Sequence, residues 1–249
     1  DVVVSRGTRL EARHLMLLAS VGVASVEVFA PVRIGLIASG DELVPAGDTC
    51  GPGQIYESNS TGIRALLSPY AATIKDYGIV ADTEEAITAV FERASKENDL
   101  VISSGGVSVG DADLIKNVIS NTGKISFWKV AIKPGKPFAL GEINGATFCG
   151  LPGNPVSTYV TAQQLVLPLI RAMQGEKNAD EHPFRLNATL TQAISRRPGR
   201  QEFLRATLTQ SATGDWHITP LPRQSSGVMT SVAQANAYLI VAADTTQLE

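Results

Sequence analysis

The sequence predicts an α/β protein, a mostly parallel sheet with helices on both faces, followed by a small all-β domain. Three observations predict it. Short apolar runs ending in glycine alternate with helical patterns between residues 32 and 175. A polar, charged stretch, QGEKNADEHP at 174–183, then breaks the rhythm. Beyond it lie only short strand-like runs separated by turn residues. At 249 residues the chain exceeds the usual domain of roughly 100–150, and we divide it at 1–31, 32–175 and 176–249.

Residues 1–31 read as a preface. Arg9 to Ala19 has helical character, because Leu10, His14, Leu17 and Leu18 recur near the 3.6-residue period and Gly22 supplies a stop. His14, on or near that stripe, is expected to pack. VRIGLIASG (32–40) is a strand running into glycine. Asn59 or Ser60 is placed to cap a helix through Ile63, Leu66 and Leu67, which Pro69 ends or bends. Thr73–Val80 is strand-like, and Asp82 or Thr83 precedes a helix through Ile87, Val90 and Ala94, with Glu84 and Glu85 at its positive end. NDLVISSGG (98–106) is a second strand ending in glycine. Asp111 to Ile119 is a helix, ISFWKVAI and ATFCG are strands, and Val156–Met173 is a long apolar helix bent near Pro168. FRLNATL, QEFLRATLTQ, DWHITPL and NAYLIVAA, with turns at Pro198-Gly199 and Gly214-Asp215, compose a β-barrel or sandwich.

Composition removes several functions. A net charge of −3 leaves no basic surface of the kind a general nucleic-acid binder needs. Cys50 and Cys149 are too far apart for a zinc or disulfide framework, and Cys149 reads as a buried small hydrophobe. His182 and His217 lack histidine or cysteine neighbours, so neither is read as a metal ligand. No apolar run approaches the roughly 20 residues of a membrane span and no signal peptide opens the chain, so a cytoplasmic location is expected. The opening DVVVSRGTRL lacks a methionine and reads as the middle of a longer chain.

Four segments at proposed strand ends depart from core composition together. Ser39-Gly40-Asp41-Glu42-Leu43 sets two carboxylates after a tight turn, and reads equally as a solvated acidic turn. Ser103-Ser104-Gly105-Gly106 continues through Val107 to Asp113 with hydroxyls and glycines ahead of a helix, a cradle for an anion. Neither the Walker lysine nor the dinucleotide glycine spacing is present. Lys133-Pro134-Gly135-Lys136-Pro137 holds two lysines on a stiff loop, as point charges for an oxyanion or as an exposed basic turn. Gly150-Leu151-Pro152-Gly153-Asn154-Pro155 opens the long helix and permits close approach of a ligand. Collectively, carboxylates Glu42, Asp82 and Asp113 suit Mg2+ or another hard cation, and the lysines with the loop amides suit a phosphate. The predicted crevice is that at the carboxyl ends of an open sheet. No Ser-His-Asp or Cys-His arrangement competes.

SGDEL, GQIYESNS, GIVAD, DLVISSGGVSVGDAD, WKVAIKPGKPFALG and FCGLPGNPVS, in this order, resemble the molybdopterin molybdenumtransferase family, the MoeA-type enzymes and the E domain of gephyrin. The resemblance implies a MogA/MoaB-like molybdopterin-binding domain with a C-terminal β-barrel. It implies insertion of molybdate into adenylylated molybdopterin, with release of AMP and a divalent cation, Mg2+. It places the functional carboxylates on Glu42, Asp82 and Asp113, and the ligand loops on Ser39 and Gly40, Ser103 to Gly106, and Pro152, Gly153, Asn154 and Pro155. Lys133 and Lys136 then face the anionic dithiolene or molybdate. The family is normally longer at its N-terminus and forms a head-to-tail homodimer, and transient contact with the molybdopterin adenylyltransferase is implied. Two other readings remain, a molybdopterin adenylyltransferase-like enzyme and a non-catalytic scaffold.

Overall fold

The computed structural model describes residues 1–70, 73–106, 112–180 and 184–249, with the backbone alone at 112 and 113. A six-stranded sheet dominates it, in the order β4-β1-β5-β9-β8-β6. Its strands are β1 (Arg33–Ser39), β4 (Thr73–Val80), β5 (Leu100–Ser104), β6 (Gly123–Trp128), β8 (Ala139–Ile143) and β9 (Ala146–Leu151). β4, β1, β5 and β9 run parallel, whereas β8 is antiparallel to both β9 and β6. ISFWKVAI is therefore not one strand: β6 stops at Trp128, and Ile132 opens a separate short strand. β8 has no counterpart in the sequence reading, because its alternation is blurred by Gly141 and Glu142.

The central strands are apolar on both faces, as strands covered twice must be. Ile37, Val101 and Phe148 face α3 (Glu84–Glu97) and α4 (Ala112–Thr122), meeting Ile87, Phe91, Ile115 and Ile119. Leu36, Ile102 and Cys149, in register with one another, face α2 (Asn59–Leu67) and α6 (Leu167–Met173) through Ile63, Leu67 and Ile170. Burial pushes the Cys149 thiol up to about 12, consistent with an inert packing role. Thr83 caps α3 by accepting from the Ala86 amide at 3.2 Å. Neither Asn59 nor Ser60 caps α2; the Glu57 carboxylate accepts from Ser60 N at 2.9 Å instead. The long helix begins as α5 (Pro155–Thr161) and passes through a π turn at Ala162–Val166 before α6. That break stands just ahead of Pro168, where a bend is expected.

The N-terminal helix α1 (Ala12–Ser20) buries only Leu18 and leaves Leu15, Met16 and Leu17 exposed. His14 is half-buried, and its Nδ1 accepts from Glu11 N at 3.0 Å and closes the first turn. Two short strands, β2 (Leu43–Val44) and β3 (Ile55–Tyr56), pair in parallel as a separate two-stranded sheet.

In the C-terminal part, β10 (Thr189–Leu190), β13 (Trp216–Pro220), β12 (Gln201–Gln210) and β14 (Ala237–Val241) form one sheet. β11 (Ile194–Ser195) pairs with β15 (Gln247–Leu248), and α7 (Met229–Gln234) precedes β14. Strand β7 (Ile132–Lys133) leaves the α/β part and pairs in parallel with β12. Val156 and Val160 of α5 pack on Phe203, which meets Tyr238 edge-on at 6.1 Å between ring centroids.

At this junction Glu202, 6% exposed, receives Arg196 Nε at 3.0 Å and Lys133 Nζ at 3.2 Å. The Arg196 guanidinium also donates to the carbonyls of Ala242 and Thr245 at 2.7 and 2.8 Å and to that of Arg200. A buried pair saturated in this way is strongly missed when one partner goes. The Arg33–Asp99 pair at the other edge of the sheet is instead solvent-facing. Arg33 holds the Asp99 carboxyl below the usual carboxylate range, so its contribution exists above the unfolded value near ~3.9 and is lost as pH falls through the lowered folded value. Glu202→Gln is expected to lower stability by about 3 kcal/mol, and Asp99→Asn by less than about 1 kcal/mol with a flattened acid limb. Urea titrations at pH 7 and pH 3 measure both, and equal losses would refute the distinction.

Candidate functional site

Register puts the predicted loops together. Ser39 pairs with Val80, Ala38 with Ser104, and Ser104 with Leu151, so β1, β4, β5 and β9 end at one level. β6 ends at the same edge, since Trp128 pairs with Ala139 and Ala139 with Gly150. The loops after Ser39, Val80, Ser104, Trp128 and Leu151 therefore share one rim. This is the crevice at the carboxyl ends of the strands.

Its floor is polar and only partly satisfied. Ser39, Ser103 and Ser104 are buried. The Ser39 and Ser103 hydroxyls and the Asn59 Oδ1 are buried without a hydrogen-bond partner among the described residues. Such atoms in a strand-end cleft are what a bound ligand would satisfy. Asn59 Nδ2 donates to Ser104 Oγ at 2.7 Å and to the Gly153 carbonyl at 2.9 Å, joining the two glycine-rich loops. Gly105, at φ +93°, packs so closely that an added Cβ would strike the Ser39 carbonyl. In the last loop Pro152 is buried, Gly153 and Asn154 are exposed, and Pro155 takes the first helical position of α5. Thr158 Oγ1 ties this loop back, donating to the Pro152 and Asn154 carbonyls.

The carboxylates stand on neighbouring loops. Asp41 Oδ1 accepts from the Asp82 amide at 3.1 Å, joining the loop after β1 to that after β4. Glu42 lies exposed, its carboxylate folded over Gly40. The Asp113 side chain and residues 107–111 lie outside the described residues. Among the described residues no cluster of three or more His, Cys, Asp or Glu forms a metal site. Glu42 and Asp82 stand on adjacent loops of this rim, joined by the bond from the Asp82 amide to Asp41, and carboxylate oxygens are the donors a hard cation prefers.

The two lysines part company. Lys133 is committed to Glu202. Lys136 is exposed and has no partner among the described residues, and it lines an open groove of about 530 Å3 with Lys129 and Arg200. Gly135, at φ +115°, presses this loop on α5, where a Cβ would strike Thr161. The Ser226 carbonyl accepts from Val156 N at 3.2 Å, so the C-terminal part closes an amide of the α5 N-terminus.

Three residues at this rim escaped the sequence reading. Asn59 reads as a helix cap, although it sits inside the GQIYESNS motif. Lys129 reads as part of a strand, and Arg200 follows a turn with no local signal of its own. Because Asn59 holds both loops from one amide, Asn59→Ala should cost about 1–3 kcal/mol in urea unfolding. It should also weaken binding of a phosphorylated ligand in calorimetry, whereas loss of stability with unchanged affinity would make its role purely structural.

Residues 35–172, more than half of the chain, match the probable molybdopterin binding domain family, and residues 187–249 match the MoeA C-terminal region (domain IV). The chain is 39% identical over 241 residues to a molybdopterin molybdenumtransferase of Haemophilus influenzae, covering 97% of this chain and 59% of that protein. It is 33% identical over 242 residues to one of Bacillus subtilis, covering 97% and 56%. It is also similar to a crystal structure of the molybdopterin biosynthesis MoeA protein from Pyrococcus horikosii, with TM-score 0.80 and 30% identity over 99% of this chain and 59% of that one. The chain thus spans less than two thirds of the length of these relatives. By the match over its strand-end loops, the chain belongs to the probable molybdopterin binding domain family.

Proposed function

We propose that the chain carries the α/β and C-terminal parts of a molybdopterin molybdenumtransferase, inserting molybdate into adenylylated molybdopterin with release of AMP. The observation that supports this reading best is the row of buried atoms with no partner among the described residues, Ser39 Oγ, Ser103 Oγ and Asn59 Oδ1, beneath glycine-rich loops at one rim. They offer a phosphorylated, hydrogen-bonding ligand what the protein leaves unmade.

In this reading Ser39, Gly40, Ser103, Ser104, Gly105 and Gly106 cradle the ligand from one side, and Pro152, Gly153, Asn154 and Pro155 from the other. Glu42, Asp82 and Asp113 hold Mg2+, which supplies charge compensation for a cleaved phosphoanhydride. Lys136, with Lys129 and Arg200, draws the molybdate dianion to the groove two strands along the rim. Lys133 acts through Glu202, keeping the lysine loop seated on β12. No side chain is given a proton-transfer role. A homodimer whose partner completes the site, transient contact with the adenylyltransferase, a cytoplasmic location and unit boundaries near 31 and 175 belong to the same proposal. No helix among the described residues is long and apolar enough to cross a membrane.

AMP release from adenylylated molybdopterin, with and without molybdate and Mg2+, tests the reading on this chain and on one extended to the length of its relatives. Molybdate-dependent release by the extended chain is the expected result, and no release by either would overturn the assignment. Asp113→Asn should reduce cation-dependent turnover by more than ~10-fold, because metal stabilisation of charge is worth several kcal/mol. Lys136→Ala should weaken molybdate binding roughly 10- to 100-fold, the worth of one charge-assisted hydrogen bond. Unchanged cation dependence or molybdate affinity would refute the respective role.

A further inference from the structure

One segment of the crevice rim is held by little besides itself. Gly40 and Ser60 are buried, yet no residue between them is. Its ladder, Leu43 with Ile55 and Val44 with Tyr56, forms a sheet of its own. Every hydrogen bond that residues 43–57 make to a described residue stays within 40–60. Tyr56 Oη donates to the Asp48 carbonyl at 3.1 Å, the Cys50 thiol donates to that of Gln54 at 3.1 Å, and Gln54 Oε1 accepts from Gly51 N at 2.9 Å. None of its apolar side chains joins a core cluster, and Ile55 and Tyr56 stand 54% and 50% exposed. A Cβ added at Gly47 or Gly53 would meet nothing within 4 Å. An isolated two-stranded ladder is marginal in water, and a segment with so few buried contacts opens at low cost.

The two ends of this flap are, by contrast, fixed, and fixed on the crevice. Asp41 Oδ1 accepts from the Asp82 amide at 3.1 Å. Asn59 Nδ2 donates to Ser104 Oγ and to the Gly153 carbonyl. A loosely held flap rooted at two points of one rim swings about the line that joins them, and that line borders the cleft. Ser58, exposed with φ −127° and ψ −14°, lies outside both β3 and α2 and supplies a hinge. Glu42 rides on the flap, because its carbonyl accepts from Ile55 N at 2.9 Å.

We infer, on the crevice reading proposed above, that residues 42–58 form a lid that folds down over a bound phosphorylated ligand. Successive strand residues face opposite ways, so one of Ile55 and Tyr56 meets the ligand whichever face of β3 turns in. Closure removes that apolar surface from water, and expelling water strengthens each charge interaction in the cleft. Closure and the approach of the Glu42 carboxylate to the ligand are then one motion.

Hydrogen exchange followed by mass spectrometry, on the chain extended to the length of its relatives, tests this with adenylylated molybdopterin in the absence of molybdate. Segment 43–57 is expected to exchange near the unstructured rate without the ligand and at least ~10-fold more slowly with it, alongside the crevice loops 104–106 and 152–154. Protection of those loops with 43–57 unchanged would overturn the lid and leave the crevice reading standing. Protection of neither would remove the crevice reading, and the lid with it. Slow exchange of 43–57 before ligand is added would mean that a second copy or another part of the chain already covers it, and would also overturn the lid. Ile55→Ser/Tyr56→Ser should leave the urea midpoint unchanged and raise the Kd for the ligand about five- to tenfold. Unchanged affinity would overturn the part given to these two side chains.

Discussion

Parallel pairing is the constraint on which the rest of this structure depends. Four adjacent strands that run the same way must all release the chain at one edge, and that edge collects every loop following a strand. The covering helices need the strands apolar on both faces, so chemistry is excluded from the sheet interior and confined to the rim. There Ser103 and Ser104 appear in the last positions of β5 with hydroxyls already at the boundary. Gly105 turns against the Ser39 carbonyl where no side chain fits, and this close contact is what draws the loops after β1 and β5 into one crevice.

The C-terminal β part is built into that rim and is no appendage to it. β7, taken from the middle of the α/β sequence, is hydrogen-bonded into the C-terminal sheet. Its Lys133 meets Glu202, and the Ser226 carbonyl occupies an amide of α5. The lysine loop is consequently clamped from two sides, by β12 and by Thr161 of α5. Lys136 is thereby positioned beside Arg200, a residue 64 positions later in the chain. A groove with three cations on a protein of net charge −3 gives local attraction for anions without a generally basic surface.

Two buried arginines in the same part show how differently charge can be accommodated. Arg196 has a carboxylate and three backbone carbonyls around it, and its role is complete within the protein. Arg205 has one good acceptor and two distant ones among the described residues. A guanidinium held by so few good acceptors costs stability that the surrounding packing must offset.

Much of the site was legible because glycine, proline and hydroxyl residues after apolar runs have few structural uses besides tight turns and backbone exposure. The alternation of strands and helices was legible for the same local reasons, down to the cap at Thr83. β8 was not, because Gly141 and Glu142 weaken its pattern and its identity depends on the neighbours it pairs with. Asn59 looked like a cap because asparagine at a helix start usually is one, and only the approach of Ser104 and Gly153 reveals a cross-link. Local chemistry in the sequence determined which segments end strands and which carry ligand-type groups. Tertiary structure alone decided which of two similar lysines is neutralised, which arginine joins the groove and which stays unpaired. Those outcomes depend on charges brought together from distant positions, and electrostatic pairing follows distance in space rather than distance along the chain.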